Sequence, residues 1–177
     1  MNDCSNVIKA RKGNSNAFVE LMNACQGYLY KIAFAYMKNE QDALEVVSET
    51  VFKAYINIDK LKNPEYFNTW IIKILINLCI NKLRVNNHII LIEEYEEIHS
   101  NGNGLSNIDL EIPRNVDLYN AIDKLDLRSK SIIILKYFED MTIMQISEIL
   151  DTPQGTVKSN IHRTLKKLKN ELEEECI

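Results

Sequence analysis

The stretch from Met141 to Lys169, MTIMQISEILDTPQGTVKSNIHRTLKKLK, leaves few folds open. It reads as two short helices joined by a tight turn. Thr142 can cap the first helix, and Gln145 three residues later completes a capping-box pattern. Ile143, Ile146, Ile149 and Leu150 recur at helical spacing and give that helix one buried face. Asp151 stands at the turn, where a short polar side chain tolerates left-handed dihedrals. Thr152 is the expected cap of the second helix. Pro153 takes its first position, where a missing N–H costs nothing. Val157, Ile161, Leu165 and Leu168 form the apolar seam of the second helix. Off the seam lie Lys158, His162, Arg163, Lys166, Lys167 and Lys169. Residues 152–169 hold five Lys/Arg and no Asp/Glu, whereas a merely solvated helix face mixes signs. The pattern predicts a helix-turn-helix that offers a basic recognition helix to DNA.

Upstream, helical periodicity continues. Phe18, Leu21, Met22, Cys25, Leu29, Ile32, Ala33 and Tyr36 predict one long amphipathic helix over Ser15 to Met37. Asn39 to Asp42 breaks it. A second helix is expected with Leu44, Val47, Val51, Ala54, Tyr55 and Ile58 on its buried face. Pro64 ends the connection that follows. A third helix is expected from Tyr66 to Val85, packed through Phe67, Trp70, Ile71, Ile74, Leu75 and Leu78. Trp70 falls on that apolar stripe and reads as core. After residue 116, Leu118 to Leu125 and Asp126 to Phe138 read as two more helices, the latter packed through Ile132, Ile133, Leu135 and Tyr137. The fold class is therefore all-α: two small helical domains, the second ending in the helix-turn-helix.

Between them the character changes. Residues 86–116 lack a sustained helical period and contain Asn/Gly pairs, a proline and clustered acids, which predicts a flexible acidic linker. The expected domains are thus 1–85 and 117–177. Residues 1–84 carry 11 Lys/Arg and 8 Asp/Glu, residues 85–116 carry 1 and 6, and residues 117–177 carry 9 and 11. The overall charge of −4 therefore comes from the middle and the Glu173–Glu175 run, not from the helix-turn-helix. No apolar run approaches the roughly 20 residues of a membrane span. The opening segment lacks the apolar stretch of a signal peptide. A cytoplasmic protein with no stable membrane association of its own is expected. Four scattered cysteines form no CxxC pair. His88, His99 and His162 do not sit at ligand spacing with Cys or carboxylate, and no Gly-rich phosphate loop is present. No catalytic residue, metal or cofactor is expected, and the chain does not read as an enzyme.

Lys73, Asn77, Asn81 and Arg84 recur at i, i+4, i+8 and i+11 and share one face of the third helix. Asn amides can bond base edges and Lys or Arg can neutralise phosphate. Spacing alone favours an ordinary solvated face. Sequence order changes that weighting. AFVELMNACQGYLYKIAFAYM, DALEVVSETVFKAY and FNTWIIKILINLCINKLR resemble, in order, the first-domain segments of small two-domain bacterial sigma factors of the extracytoplasmic-function class. The second and third of these follow the family patterns DAEDLVQEVFLKAW and FRTWLYRIARNLALDRLR. The segment AIDKLDLRSKSIIILKYFEDMTIMQISEILDTPQGTVKSNIHRTLKKLK resembles the second domain, ALxxLPxxxRxVxxLRxxxGLSxxEIAxxLGxxxGTVKSRLxRAxxxLR. The resemblance covers roughly residues 8–84 and 117–172.

The resemblance implies a subunit that binds core RNA polymerase and promoter DNA. By motif position, the polymerase clamp contact falls on Glu45, Ser48, Glu49 and Phe52. The −10 element contact falls on Asn63 and Tyr66 of the Asp59–Phe67 loop and on Lys73, Asn77, Asn81 and Arg84. That loop against the Lys73 face is the expected pocket for an extruded base. The −35 contact falls on Lys158, Ser159, His162 and Arg163 of the recognition helix. Many members of the class are restrained by an anti-sigma factor. The acidic linker would thread polymerase channels built for nucleic acid. The chain departs from the family pattern at Glu45 (usually Asp), Ser48 (usually Gln), Asn81 (frequently Asp), Asp151 (commonly Gly) and Asn160 (usually Arg). The alternative is an autonomous helix-turn-helix regulator with a sensor or dimerisation domain at its N-terminus, which would bind its site without polymerase.

Overall fold

The computed structural model describes residues 4–93 and 121–174, with side chains over 4–85 and 121–172. All regular elements among them are helical. The chain divides into two compact units, on either side of residues 101 and 102. Most of the expected linker, 94–116, and the start of the helix expected at Leu118 lie outside the described residues.

The first unit is built from α1 (Cys4–Arg11), α2 (Ser15–Met37), α3 (Glu40–Asn57), two 3-10 turns (Ile58–Lys60 and Pro64–Tyr66) and α4 (Phe67–Glu93). Side-chain caps set the starts of two of these helices. Asn14 Oδ1 accepts from the Ala17 N–H at 3.0 Å, and Asn39 Oδ1 from the Asp42 N–H at 3.0 Å, each satisfying a donor that the first turn leaves open. Lys38, at φ 58, ends α2 by turning its N–H back to the Phe34 carbonyl. The α2 bounds match the periodicity, and its stripe from Phe18 to Tyr36 is buried. Helix α1 was not anticipated. It is short, and only Val7 and Ala10 are buried, too few to establish a period.

The buried face of α3 is offset from the expected one. Ala43, Val46, Thr50 and Ala54 point inward, while Leu44 and Tyr55 are exposed and Val47 and Val51 half-buried. Thr50 is admitted to the core because its hydroxyl donates to the Val46 carbonyl at 2.7 Å, so no polar group is left unpaired. Helix α4 packs against both α2 and α3. It is buried over a wider arc than expected: Ile72 and Ile76 are inside along with Phe67, Ile71, Leu75, Leu78 and the expected small core residue Cys79, whereas Trp70 and Ile74 are half-buried. The helix runs eight residues beyond the expected end at Val85. Residues 86–93 contain no Pro or Gly to stop it, and the boundary expected at 85 falls inside it. Burial raises the Cys25 thiol to about 11, so it is uncharged at neutral pH and packs as a small apolar group.

The second unit contains a helical turn at 121–123, α5 (Leu127–Ile133), a π-helical turn (Ile134–Phe138), α6 (Ile143–Ile149) and α7 (Gln154–Glu174). The single helix expected over Asp126 to Phe138 widens into a π turn after Ile133. Residues 129–135 are all buried, so α5 is the axis of this unit. Within the widened turn Tyr137, expected inside, is exposed. Thr142 and Gln145 form the full capping box of α6, and Asp151 takes φ 46 at the turn. The α7 seam also shifts. Val157, Thr164 and Leu168 are buried, Ile161 is half-buried and Leu165 is exposed.

Asp126 Oδ1 caps α5 by accepting from the Ser129 N–H at 3.0 Å and the Arg128 N–H at 3.1 Å. The Ser129 N–H above all, outweighing the opposing effect of burial, holds this carboxyl below the usual carboxylate range. Its contribution to stability is present above the unfolded pKa of about 4 and is lost as pH falls through the lower folded value. Asp126→Asn keeps a capping oxygen and removes the charge. Its unfolding midpoint is expected to fall less than the parent's between about pH 5 and about pH 3. An equal fall would show that the cap does not contribute to acid sensitivity.

Candidate polymerase and nucleic-acid interfaces

Because α3 buries its small residues, its larger apolar ones face solvent. Leu44 is 50% exposed, Phe52 62% and Ile56 52%. At 100° per residue, Leu44, Tyr55, Ser48, Phe52, Glu45, Ile56 and Glu49 form one continuous outer face. All four residues expected at the clamp contact lie on it and are exposed. Leu44, which periodicity alone places inside, and Ile56 join them on this face. The face is held in shape by local bonds. Ser48 Oγ donates to the Leu44 carbonyl at 2.8 Å, and Glu49 pairs with Lys53 at 3.0 Å. Tyr55 packs edge-on against Phe18 with ring centroids 5.2 Å apart.

Glu45 has a partner that sequence did not disclose. Lys82 of α4 reaches both Glu45 (2.7 Å) and Asp42 (2.8 Å). Burial acts to lower the Lys82 pKa, but the hydrogen bonds and charges of the two carboxylates outweigh it and the net shift is upward. This clasp joins the outer face of α3 to α4. Only its position 37 residues downstream of Glu45 kept it from view, since no local spacing rule reaches that far.

On α4, Asn77, Asn81 and Arg84 are exposed and Lys73 is half-buried. The four fall within an arc of about 80° and extend about 16 Å along the axis, a track sized for a strand. Asn63 and Tyr66 are exposed just before the helix. Leu61 and Phe67, both buried, anchor the loop between them. Arg11 of α1 ties the loop from behind, its Nη1 donating to the Lys62 carbonyl at 3.2 Å. A cavity of about 250 Å³ beside this loop is lined by Arg11, Asn14, Phe18, Tyr55, Ile58 and Asp59, among others, but by none of Asn63, Tyr66, Lys73 and Asn77.

In the second unit Lys158, Ser159, His162 and Arg163 are all exposed on one side of α7. The two Arg163 hydrogen bonds, from Nε to the Ser159 carbonyl and from Nη2 to Ser159 Oγ, are long at 3.4 Å each, so little is given up when the guanidinium turns to another acceptor. Asn160 behaves differently from the Arg usual there. It is half-buried, and its Oδ1 accepts from Ser129 Oγ (3.2 Å) and Thr164 Oγ1 (3.4 Å). Thr152, expected to cap α7, uses its hydroxyl otherwise: it donates to the Leu150 carbonyl and accepts from Arg128 Nη2 at 2.9 Å. Among the described residues no group of three or more His, Cys, Asp or Glu could hold a metal ion, and no helix is long and apolar enough to cross a membrane.

The family model for Sigma-70 region 2 matches residues 21–89, and that for Sigma-70 region 4 matches residues 115–168. RNA polymerase sigma factor SigV of Bacillus subtilis (strain 168) is 36% identical over 147 residues, covering 82% of this chain and 85% of that protein. ECF RNA polymerase sigma factor SigW of the same organism is 26% identical over 176 residues, 94% of each. Among solved structures, CnrH in complex with the cytosolic domain of CnrY superposes with a TM-score of 0.72 at 21% identity, over 98% of this chain and 99% of that one. RpoE of Bartonella quintana, in complex with the anti-sigma factor NepR, gives 0.70 at 20% identity over 88% and 96%. These two show a shared fold. The sequence matches displace the autonomous regulator: the chain belongs to the RNA polymerase sigma factors of the extracytoplasmic-function class.

Proposed function

We propose that this sigma factor divides promoter recognition between its two units, and that each of the three exposed faces has one task. The outer face of α3, centred on Phe52, docks on the clamp of core polymerase. The Asn63–Tyr66 loop and the Lys73, Asn77, Asn81, Arg84 track read and open the −10 element. Lys158, Ser159, His162 and Arg163 of α7 read the −35 element. The observation that carries this reading is the inversion of α3. Leaving a Phe side chain in water forgoes about 2 kcal/mol that burial would return, and three large apolar residues exposed on one face mark an interaction surface. Glu45 and Glu49 frame that surface with charge, a polar rim around an apolar centre.

The DNA-facing sets differ in chemistry as their tasks do. The α7 set combines a lysine, an arginine, a serine hydroxyl and an imidazole, suited to phosphates and base edges of duplex DNA. The α4 set is rich in amides on a long track, suited to bases that have left the stack at a cost of a few kcal/mol per step. Bond formation belongs to the core enzyme, and the chain itself supplies binding and base capture. Its working place is then the cytoplasm, with polymerase. An anti-sigma factor is a fitting further partner, as NepR is for RpoE of Bartonella quintana, since the apolar α3 face must be covered when polymerase is absent.

Three measurements test the division. Phe52→Ala is expected to weaken core-polymerase binding about tenfold, the loss of one buried aromatic anchor, with the unfolding midpoint unchanged; undiminished affinity would remove α3 from the interface. Lys158→Ala with Arg163→Ala is expected to weaken holoenzyme binding to −35-bearing promoters and to flatten its salt dependence. Equal loss on promoters lacking an upstream element would refute the α7 role. Asn77→Ala with Asn81→Ala is expected to reduce open-complex formation on duplex promoters far more than on templates pre-melted at −10. Equal reduction on both would show that the track does not take part in opening.

A further inference from the structure

Two of the points that fix the recognition helix to its unit are polar. At its start, Thr152 accepts a hydrogen bond from Arg128 and donates to the Leu150 carbonyl, while Ser147 Oγ donates to the Thr152 carbonyl at 2.6 Å. Two turns on, Ser129 Oγ and Thr164 Oγ1 both donate to Asn160 Oδ1. Ser129, Thr152 and Thr164 are all buried. The remaining anchors of α7, Val157 and Leu168, are apolar, and apolar contact has little directional preference. A hydrogen bond does have one. A rotation of α7 by about 20° moves a side-chain tip at about 6 Å radius by about 2 Å, more than a base-edge hydrogen bond tolerates.

We infer that Ser129 and Asn160 are positioning residues for promoter selectivity: their part-buried hydrogen bond sets the rotation of α7 and thereby which base edges Lys158, Ser159, His162 and Arg163 can reach. The inference rests on the reading of α7 as the −35 reader. Asn160 sits at the edge of the exposed side, about 60° from Arg163 around the helix axis. In this chain the position is turned inward to α5 instead of outward to phosphate. Ser129 is itself held, since its N–H donates to the Asp126 cap. The tie therefore runs from the start of α5 to the middle of α7.

The test uses holoenzyme assembled from core polymerase and the full chain. Its templates are a promoter that this holoenzyme selects, the same promoter with single-base changes in its −35 element, and a template pre-melted at −10 with no −35 element. The readout is the ratio of open complexes on the parental to the substituted promoters. Ser129→Ala is expected to lower that ratio about fivefold, the scale of one hydrogen bond, with yield on the pre-melted template unchanged. Asn160→Ala, which also removes the Thr164 bond, should lower it at least as far, and the double variant no further than Asn160→Ala, because both single changes remove the same bond between the helices. Ser129→Thr, which keeps the hydroxyl, should restore it. An unchanged ratio, additive losses, or a parallel loss on every template would overturn the inference. Lys158→Ala with Arg163→Ala is run alongside. If that pair lowers the ratio and Ser129→Ala does not, the positioning role alone fails; if the pair leaves it unchanged, the −35 reading fails and the positioning role with it.

Discussion

Close packing of the narrow side of α3 is the constraint on which the first unit depends. Ala43, Val46, Thr50 and Ala54 are small enough to let α2 and α4 approach on that side. Had the helix turned its Leu44, Phe52 and Ile56 inward, it would have gained apolar burial but forced the neighbouring helices apart. The unit instead fills its core from α2 and α4, which bring Phe18, Leu29, Ile32, Phe67, Ile71 and Leu75. The large residues of α3 are thereby released for a partner. On the proposed reading, stability and recognition occupy opposite sides of one helix, and the Lys82 clasp to Asp42 and Glu45 ties the outer face of α3 to α4.

The second unit solves a different problem. Its axis, α5, is buried on every side over 129–135, as a helix at the centre of a small bundle must be. Polar residues on such a helix need partners. Ser131 bonds back to the Leu127 carbonyl, Lys130 pairs with Asp123, and Ser129 with Asn160. Only the last of these reaches the recognition helix. A satisfied buried polar group favours the arrangement that satisfies it, which helps a short helix-turn-helix hold its exposed side steady on a small core.

Much of this could be read from sequence because capping and periodicity are local. The Ser15–Met37 helix, the Thr142–Gln145 capping box and the left-handed Asp151 follow from neighbours a few residues apart. The exposure of Lys158, Ser159, His162 and Arg163, proposed for the −35 contact, follows from the same rule, since residues off an apolar seam face outward. What could not be read has one physical cause, which is dependence on contacts distant in sequence. The α3 face was misplaced because hydrophobicity ranks Leu44 and Tyr55 above Ala43 and Thr50, while packing ranks by size. Thr50 and Thr164 entered the core by bonding within their own helices, and Leu165 was displaced with them. The inward turn of Asn160 depends on Ser129, 31 residues away. The π turn after Ile133 has no sequence signature that distinguishes it from continued helix.

The central claim is that this chain confers start-site selection on a polymerase that otherwise lacks it. Run-off transcription on fragmented genomic DNA, with purified core polymerase alone and with the chain added, measures this directly. The account predicts discrete transcripts that appear only when the chain is present, with start sites preceded by a shared pair of −35 and −10 elements. The same transcripts from core polymerase alone, or no new ones on addition of a folded chain that binds core, would contradict it.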